Sequence, residues 1–253
     1  TPTSPADPDP RPTTISLPMT DDRPTPRTAL EPIHVVLPMR TMSGGKARLG
    51  EALDAEEREE LVLGMLLHTL KVLGEWPVCG RIHVVSPDPV LNEATSQAGI
   101  EVSVHRQDDE GLNAGIRLGV SAARVEEATS LLVLPGDLPH LSVEALDELL
   151  TAADAGVVAA GGGPLVAIVP SDAGGGTNAL LLRPPDAIGP SFGPGSFEAH
   201  LRSAEAAGAA VQVVSDPVLG FDLDTPDDLE RLDPVRLREL TALGRRAMDG
   251  VGA

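Results

Sequence analysis

Apolar positions along the chain fall into short β-branched runs separated by segments of helical period. Ile33-His34-Val35-Val36-Leu37-Pro38 reads as a first buried strand. Asp54-Ala55-Glu56-Glu57 then has the acidic first turn of a helix N-terminus, and Leu61, Met65, Leu66, Leu70 and Leu73 carry that helix on at spacings of three and four. Arg81 to Ser86, Ile100 to His105 and Ser130 to Leu134 predict three further strands. Leu112 to Arg124 and Ser142 to Ala153 predict helices, with Ser142 as cap. Strands spaced by helices of this length imply a parallel sheet covered on both faces. Leu165 to Pro170, Asn178 to Arg183 and Ala210 to Val214 predict more strands. The glycine-rich stretches among them call for a strand or hairpin that breaks the parallel pattern. Past Leu232 one amphipathic helix and a Gly/Ala tail complete the chain.

Composition changes this picture at one end and in one property. Residues 1–30 hold eight prolines among Thr, Ser and Asp, and almost nothing bulky and apolar. Such a segment cannot bury enough surface to offset the entropy of ordering, so it predicts a disordered arm. The remainder divides into a main domain over 31–232 and a helix with tail over 233–253. The charge is 19 Lys and Arg against 38 Asp and Glu, a net of −19. A chain this acidic repels a phosphate backbone, which argues against nucleic acid as a partner. One cysteine, Cys79, excludes an internal disulfide and a Cys-based zinc cluster. No apolar run reaches the length of about 18 residues that a membrane helix needs. A cytoplasmic protein without a membrane partner is the expectation.

In an open α/β sheet ligands bind beyond the carboxyl ends of the strands, so the residues after each strand matter most. Arg40-Thr41-Met42-Ser43-Gly44-Gly45-Lys46-Ala47-Arg48 follows the first strand. Its two glycines allow close approach of backbone N–H groups to an anion, and Arg40, Lys46 and Arg48 supply cations that the rest of the chain lacks. The segment is neither a Rossmann nor a P-loop fingerprint, and a solvated surface loop is its other reading. After the fourth strand, Pro135-Gly136-Asp137-Leu138-Pro139 aims a carboxylate at the crevice. Carboxylates suit Mg²⁺, which takes one or two of them with phosphate oxygens and water; a turn aspartate is the alternative. In Gly220-Phe221-Asp222-Leu223-Asp224-Thr225-Pro226, Thr225 and Pro226 make a helix start, which leaves Asp222 and Asp224 unexplained. Extended backbone would put both on one face, where one could share a metal with Asp137.

Three other segments offer polar groups. Thr177 ends the glycine run Gly174 to Gly176. Ser196 follows Gly193-Pro194-Gly195 at the start of a helix, where it is an N-cap first and an anion ligand second. Asn113 opens the helix after the third strand and either caps it or meets a base edge. His34, His83 and His68 read as structural histidines, whereas His200, four residues after Ser196, is a candidate for the same pocket.

In this order, GGKARL, GLNA, LPGDLP, GGGTNALLL, FGPGSF and GFDLDTPDDL resemble the guanylyltransferases of coenzyme F-420 biosynthesis, which act on phosphoenolpyruvate or 2-phospho-L-lactate. The resemblance runs from about Ile33 to Leu232. It implies a Rossmann-like nucleotide-diphospho-sugar transferase fold, mostly parallel with an added antiparallel element. It also implies transfer of GMP from GTP to a phosphorylated three-carbon acid with Mg²⁺. By this resemblance Lys46 and Arg48 match a basic loop on the triphosphate, and Asp137 and Asp224 match metal-binding aspartates. Thr177, Gly193 and Ser196 match positions that hold the acid. Arg40 departs from the family's frequent lysine, which changes the geometry of any phosphate contact there. An unstable product implies transient contact with the enzyme that consumes it. Other nucleotidyltransferases of the same fold, acting on molybdopterin or sugar phosphates, share these features, as would a nucleotide-binding module without turnover.

Overall fold

The computed structural model describes residues 32–42, 46–97, 99–107, 111–159 and 161–251. The proline-rich segment 1–30 lies outside them. Residues 31–253 form one compact unit.

Seven strands build one sheet: β1 (Ile33–Pro38), β2 (Cys79–Ser86), β3 (Val102–Arg106), β4 (Ser130–Val133), β5 (Leu165–Pro170), β6 (Thr177–Arg183) and β7 (Ala210–Val213). Their order is β3-β2-β1-β4-β6-β5-β7. All pairings are parallel except those of β6, which runs against both β4 and β5. The expected antiparallel element is therefore this strand. Its reversal matters for function: the first residue of β6, Thr177, lies at the edge where β1 and β4 end.

The helices are α1 (Ala55–Glu75), α2 (Pro89–Gln97), α3 (Leu112–Val125), α4 (Val143–Ala159), α5 (Ser196–Ala206), α6 (Pro226–Arg231) and α7 (Pro234–Val251), with a 3-10 turn at Ala47–Glu51. Local signals fix several ends. Asp54 caps α1 through a reciprocal box with Glu57, and the Ser142 hydroxyl accepts from Ala145 N at 3.3 Å. Helix α2 has no counterpart in the pattern reading. Among its described side chains the buried ones are Leu91, Ala94 and Thr95, too few apolar positions to show a period.

Helices α3 and α5 cover the sheet face that carries Val36, Val85, Val133, Ile168 and Leu180. On the other face, Trp76 Nε1 at the end of α1 donates to Asp147 of α4 at 3.0 Å. Helix α7 lies along α1 at very short range. A Cβ on Gly64 would overlap the Leu240 carbonyl, and one on Gly244 the Glu60 carbonyl, so only glycine permits this contact. Glu60, almost fully buried, accepts two hydrogen bonds from Arg245 at 2.6 and 2.8 Å. Leu240 and Leu232 then complete a small core with Leu49, Phe221 and Leu223. That core braces the turn after Lys46 and the strand-like segment of Asp222 and Asp224.

His34, His83 and His105, one from each of β1, β2 and β3, form a stacked ladder with ring centroids 5.4 and 5.3 Å apart. Burial lowers the pKa of all three, that of His83 to about 4. At neutral pH these are uncharged imidazoles, His83 fully buried and His34 and His105 partly so.

Candidate active site

A cleft of about 600 Å³ opens at the carboxyl edge of β1 and β4 and the amino end of β6. Every segment singled out in the sequence contributes to its wall or to the layer behind it.

The acidic floor comes from two loops. Beyond β4, Gly136 lies so close to Met39 that a Cβ would come within 2.5 Å of its sulfur. This contact fixes the turn that presents Asp137. Leu223 N–H donates to the Asp137 carbonyl at 3.3 Å, tying the second loop to the first. Asp137, Asp222 and Asp224 thus each place a carboxylate oxygen within 4.8 Å of the others. Extended spacing does put Asp222 and Asp224 on one side. Asp222 is held by Ser171 Oγ at 2.9 Å and Asn178 Nδ2 at 3.0 Å. Burial, and then the neighbouring Asp137 charge, raise its pKa despite those donors.

Lys46 crosses the cleft into this floor. Its Nζ donates to Asp137 Oδ2 and to Asp224 Oδ1, each at 2.6 Å. Burial opposes its charge, but the two carboxylates outweigh burial and hold its pKa above the ordinary lysine value. The ammonium therefore occupies the space a divalent ion would share. An aspartate pair that merely repels itself when metal-free is not what this arrangement gives. The residues nevertheless fit a hard cation. The donors are all carboxylate oxygens, and Asp137 Oδ1 is buried with no hydrogen-bond partner among the described residues.

Arg40 and Arg48 line the cleft on the side of the first loop, both exposed. Among the described residues no ion pair engages either one, which is unusual in a chain of net −19. Ser43, Gly44 and Gly45, the expected backbone cradle, lie outside the described residues.

The opposite wall holds Thr177, Gly193 and Ser196. The N-cap of α5 is Gly195, with φ of 74°, and no side chain caps the helix. Ser196 is thus not the cap. Its hydroxyl is buried without a partner among the described residues, while its N–H donates to the Gly193 carbonyl and that of Phe197 to the Gly175 carbonyl. Thr177 is backed by His200, which its spacing to Ser196 makes a candidate for the pocket itself but which lies behind the wall instead. Ser191 N–H donates to His200 Nε2 at 3.0 Å, so that nitrogen carries no proton. The neutral ring then bears its proton on Nδ1 and donates it to Thr177 Oγ1, 3.0 Å away. This leaves the threonine's own proton for an acceptor in the cleft. Burial pushes the His200 pKa down to about 4, which keeps this tautomer through the neutral range.

Asn113 has a different place from the base-edge contact or cap that its position suggested. Its Oδ1 accepts from Phe192 N at 2.8 Å and its Nδ2 donates to Phe192 O at 2.9 Å. Both halves of the amide clamp the loop before α5 onto α3, and Gly111 is the N-cap of α3. Asn113 shapes the wall and leaves the contact with a ligand to its neighbour Leu112. The sequence carried no signal for this clamp or for the His200 bridge, because each joins residues far apart in the chain.

Comparison with known proteins shows the family of the chain. The profile of guanylyl transferases of the CofC-like kind matches residues 33–233. The chain belongs to that family. A phosphoenolpyruvate guanylyltransferase of Rubrobacter xylanophilus is 44% identical over 204 residues, 79% of this chain and 93% of that protein. One from Sphaerobacter thermophilus is 37% identical, over 78% and 90%. A protein from Desulfovibrio desulfuricans, provisionally named a nucleotide-diphospho-sugar transferase, superposes with a TM-score of 0.65 over 86% of this chain and 99% of its own, at 18% identity. A 4-diphosphocytidyl-2C-methyl-D-erythritol synthase gives 0.54 over 82% and 99%, at 16% identity. These two likenesses establish the nucleotidyltransferase fold, and the family match makes the chain a guanylyltransferase. No described helix is long and apolar enough to cross a membrane.

Proposed function

We propose that this guanylyltransferase joins GMP from GTP to phosphoenolpyruvate, releasing pyrophosphate, as a cytoplasmic step of coenzyme F-420 biosynthesis. The reading is carried by one juxtaposition. Three carboxylates and a lysine lie between a wall of two arginines and a wall that presents the unpartnered Ser196 hydroxyl and the Thr177 hydroxyl, whose own proton the His200 contact leaves available. Both intended substrates are phosphate anions, and each wall offers one of them what the acidic remainder of the protein cannot.

A phosphate oxygen of the acid attacks the α-phosphorus of GTP. One P–O bond forms, the bond from the α-phosphorus to the β-phosphate oxygen breaks, and pyrophosphate leaves with its electron pair. The phosphate nucleophile is already ionised at neutral pH, so no general base is required, in keeping with histidines that burial holds neutral and out of the cleft. The chain's work is to hold two anions in line and offset their charge. Arg40 and Arg48 take the triphosphate. Thr177 Oγ1, Ser196 Oγ and the backbone about Gly193 take the phosphorylated acid. Asp137, Asp222 and Asp224 would hold Mg²⁺, whose charge when bound stabilises the transferring phosphoryl group. With a cation between those carboxylates, the Lys46 ammonium would be free to meet phosphate oxygens of the triphosphate, as its loop position suggests.

The test is pyrophosphate release with four nucleoside triphosphates crossed against phosphoenolpyruvate, 2-phospholactate and 3-phosphoglycerate. Each reaction is run with the product-consuming enzyme present as a trap. Turnover with GTP and phosphoenolpyruvate supports the reading. Turnover only with 2-phospholactate or 3-phosphoglycerate, or only with another nucleotide, overturns it, as does binding of GTP with no turnover in any combination.

A further inference from the structure

We propose a second metal site, for a borderline transition ion of the Zn²⁺ class, at the amino edge of the sheet, held by His34, His83 and Glu126. It lies at the end of α3 remote from the cleft and does not depend on the function proposed above. His34 Nδ1 and His83 Nε2 are 3.1 Å apart, and His34 Nδ1 is 3.9 Å from Glu126 Oε2. The three ligand atoms all lie within 4.8 Å of one another. Two imidazole nitrogens bound to one tetrahedral Zn²⁺ at about 2.0–2.1 Å are separated by about 3.3 Å. The two nitrogens, which share a hydrogen bond without the ion, therefore have nearly the separation of one edge of a coordination tetrahedron once that proton is released, and a side-chain rotation of the partly exposed Glu126 would add a third ligand.

The surroundings favour a cation there. Glu126 is the C-cap residue of α3, and the carbonyl end of a helix attracts positive charge. His83 Nδ1 lies 3.1 Å from His105 Nε2, which supplies the outer hydrogen bond that orients a ligating imidazole. Arg81 Nε is 3.4 Å from Glu126, but its shorter contact is Nη1 to Glu101 at 2.6 Å; it can retain that partner when Glu126 turns away. Two nitrogens and one oxygen select a borderline ion over Mg²⁺. The cluster in the cleft offers oxygens alone, so the two sites sort ions by their chemistry. An occupied site would pin β1, β2 and the end of α3 together.

The experiment uses untagged full-length protein stripped with EDTA, then dialysed against micromolar Zn²⁺ in the presence of millimolar Mg²⁺. Bound zinc is counted by mass spectrometry, and Co²⁺ is used in parallel for its visible spectrum. The wild type should retain one Zn²⁺ per chain and show the intense absorption of tetrahedral Co²⁺. Its melting temperature should rise by about 5 °C or more at a free-ion concentration a hundred times the Kd. His34→Gln should abolish binding, and Glu126→Gln, which alters a partly exposed side chain and keeps its shape, should weaken it at least tenfold. Asp137→Asn should leave it intact. The proposal is overturned if the wild type retains no zinc, if His34→Gln and Glu126→Gln bind as the wild type does, or if Asp137→Asn removes the bound ion. In the first two cases the histidines form only a hydrogen-bonded ladder.

Discussion

Replacing Lys46 by methionine keeps an unbranched side chain, one atom shorter, and deletes its charge. In the structure the ammonium meets Asp137 and Asp224 at 2.6 Å each, with 8% of the lysine side chain exposed. At an effective dielectric of about 20, unit charges about 4 Å apart attract by about 4 kcal/mol. Against two such contacts stands the desolvation of the ammonium, several kcal/mol. Asp224 is 44% exposed, so its share is screened further. A net of about 3 kcal/mol remains, in the range found when one partner of a buried pair is removed. For a protein of this size that is a fall of about 6–12 °C in melting temperature in EDTA. Mg²⁺ should then stabilise Lys46→Met more than the wild type, because the ion no longer has to displace an ammonium from the same oxygens. The assay is thermal unfolding by circular dichroism in EDTA and across a Mg²⁺ titration, with GTP absent. A Lys46→Met protein that melts like the wild type in EDTA would refute the reasoning, as would a smaller response to Mg²⁺.

Further predictions rest on the same geometry. Asp137→Asn and Asp224→Asn should each lower kcat by at least about a hundredfold in GTP-dependent pyrophosphate release, and the double variant should be little worse, as the cluster acts as a unit. Each should also lower the metal-free melting temperature, because Lys46 loses a charged partner; a rise would contradict the bridging ammonium. Thr177→Val and Ser196→Ala should raise KM for the phosphorylated acid more than KM for GTP, by about 1–3 kcal/mol of lost donor contact, and equal effects in initial-rate kinetics would make them structural. His200 is neutral when folded, with a pKa of about 4 against an ordinary 6.5, so its unfolded form binds the extra proton. Its contribution is complete above about pH 6.5 and is lost as pH falls towards 4, by about 1 kcal/mol per pH unit. His200→Asn should flatten urea-derived stability against pH by that slope over this window, and an unchanged slope would refute the assignment.

Sequence pattern and structure agree where the deciding physics is local. Val35, Val36, Leu131 and Leu132 are buried on both faces of a parallel sheet and so read as unbroken apolar runs. Asp54 and Thr225 cap helices through partners three residues away. The strand-end rule also points to Asp137 and the first basic loop, whereas Thr177, at the start of its strand, reaches the same edge because β6 runs antiparallel to β4. What pattern could not give was partner choice across the fold. Lys46 reaches Asp137 and Asp224 over separations of 91 and 178 residues, so its position between carboxylates in the metal-free protein is a property of packing. Asn113 and Ser196 exchanged their expected parts for the same reason. The clamp on Phe192 uses up the amide of Asn113, and Gly195 takes the cap that would have occupied the Ser196 hydroxyl. The histidine ladder spans three strands, and no spacing within any one of them announces it.

The central claim is that the phosphate of the acid becomes joined to the α-phosphate of GTP in this cleft. Phosphorus NMR of a reaction holding GTP, phosphoenolpyruvate, Mg²⁺ and the enzyme observes that bond directly, with pyrophosphatase added to draw the reaction forward. The account predicts a new pair of mutually coupled diphosphate resonances, one phosphorus from each substrate, growing as those of GTP and phosphoenolpyruvate decline, and absent with Asp137→Asn. Loss of GTP to GDP and phosphate while the phosphoenolpyruvate resonance stays unchanged would contradict it.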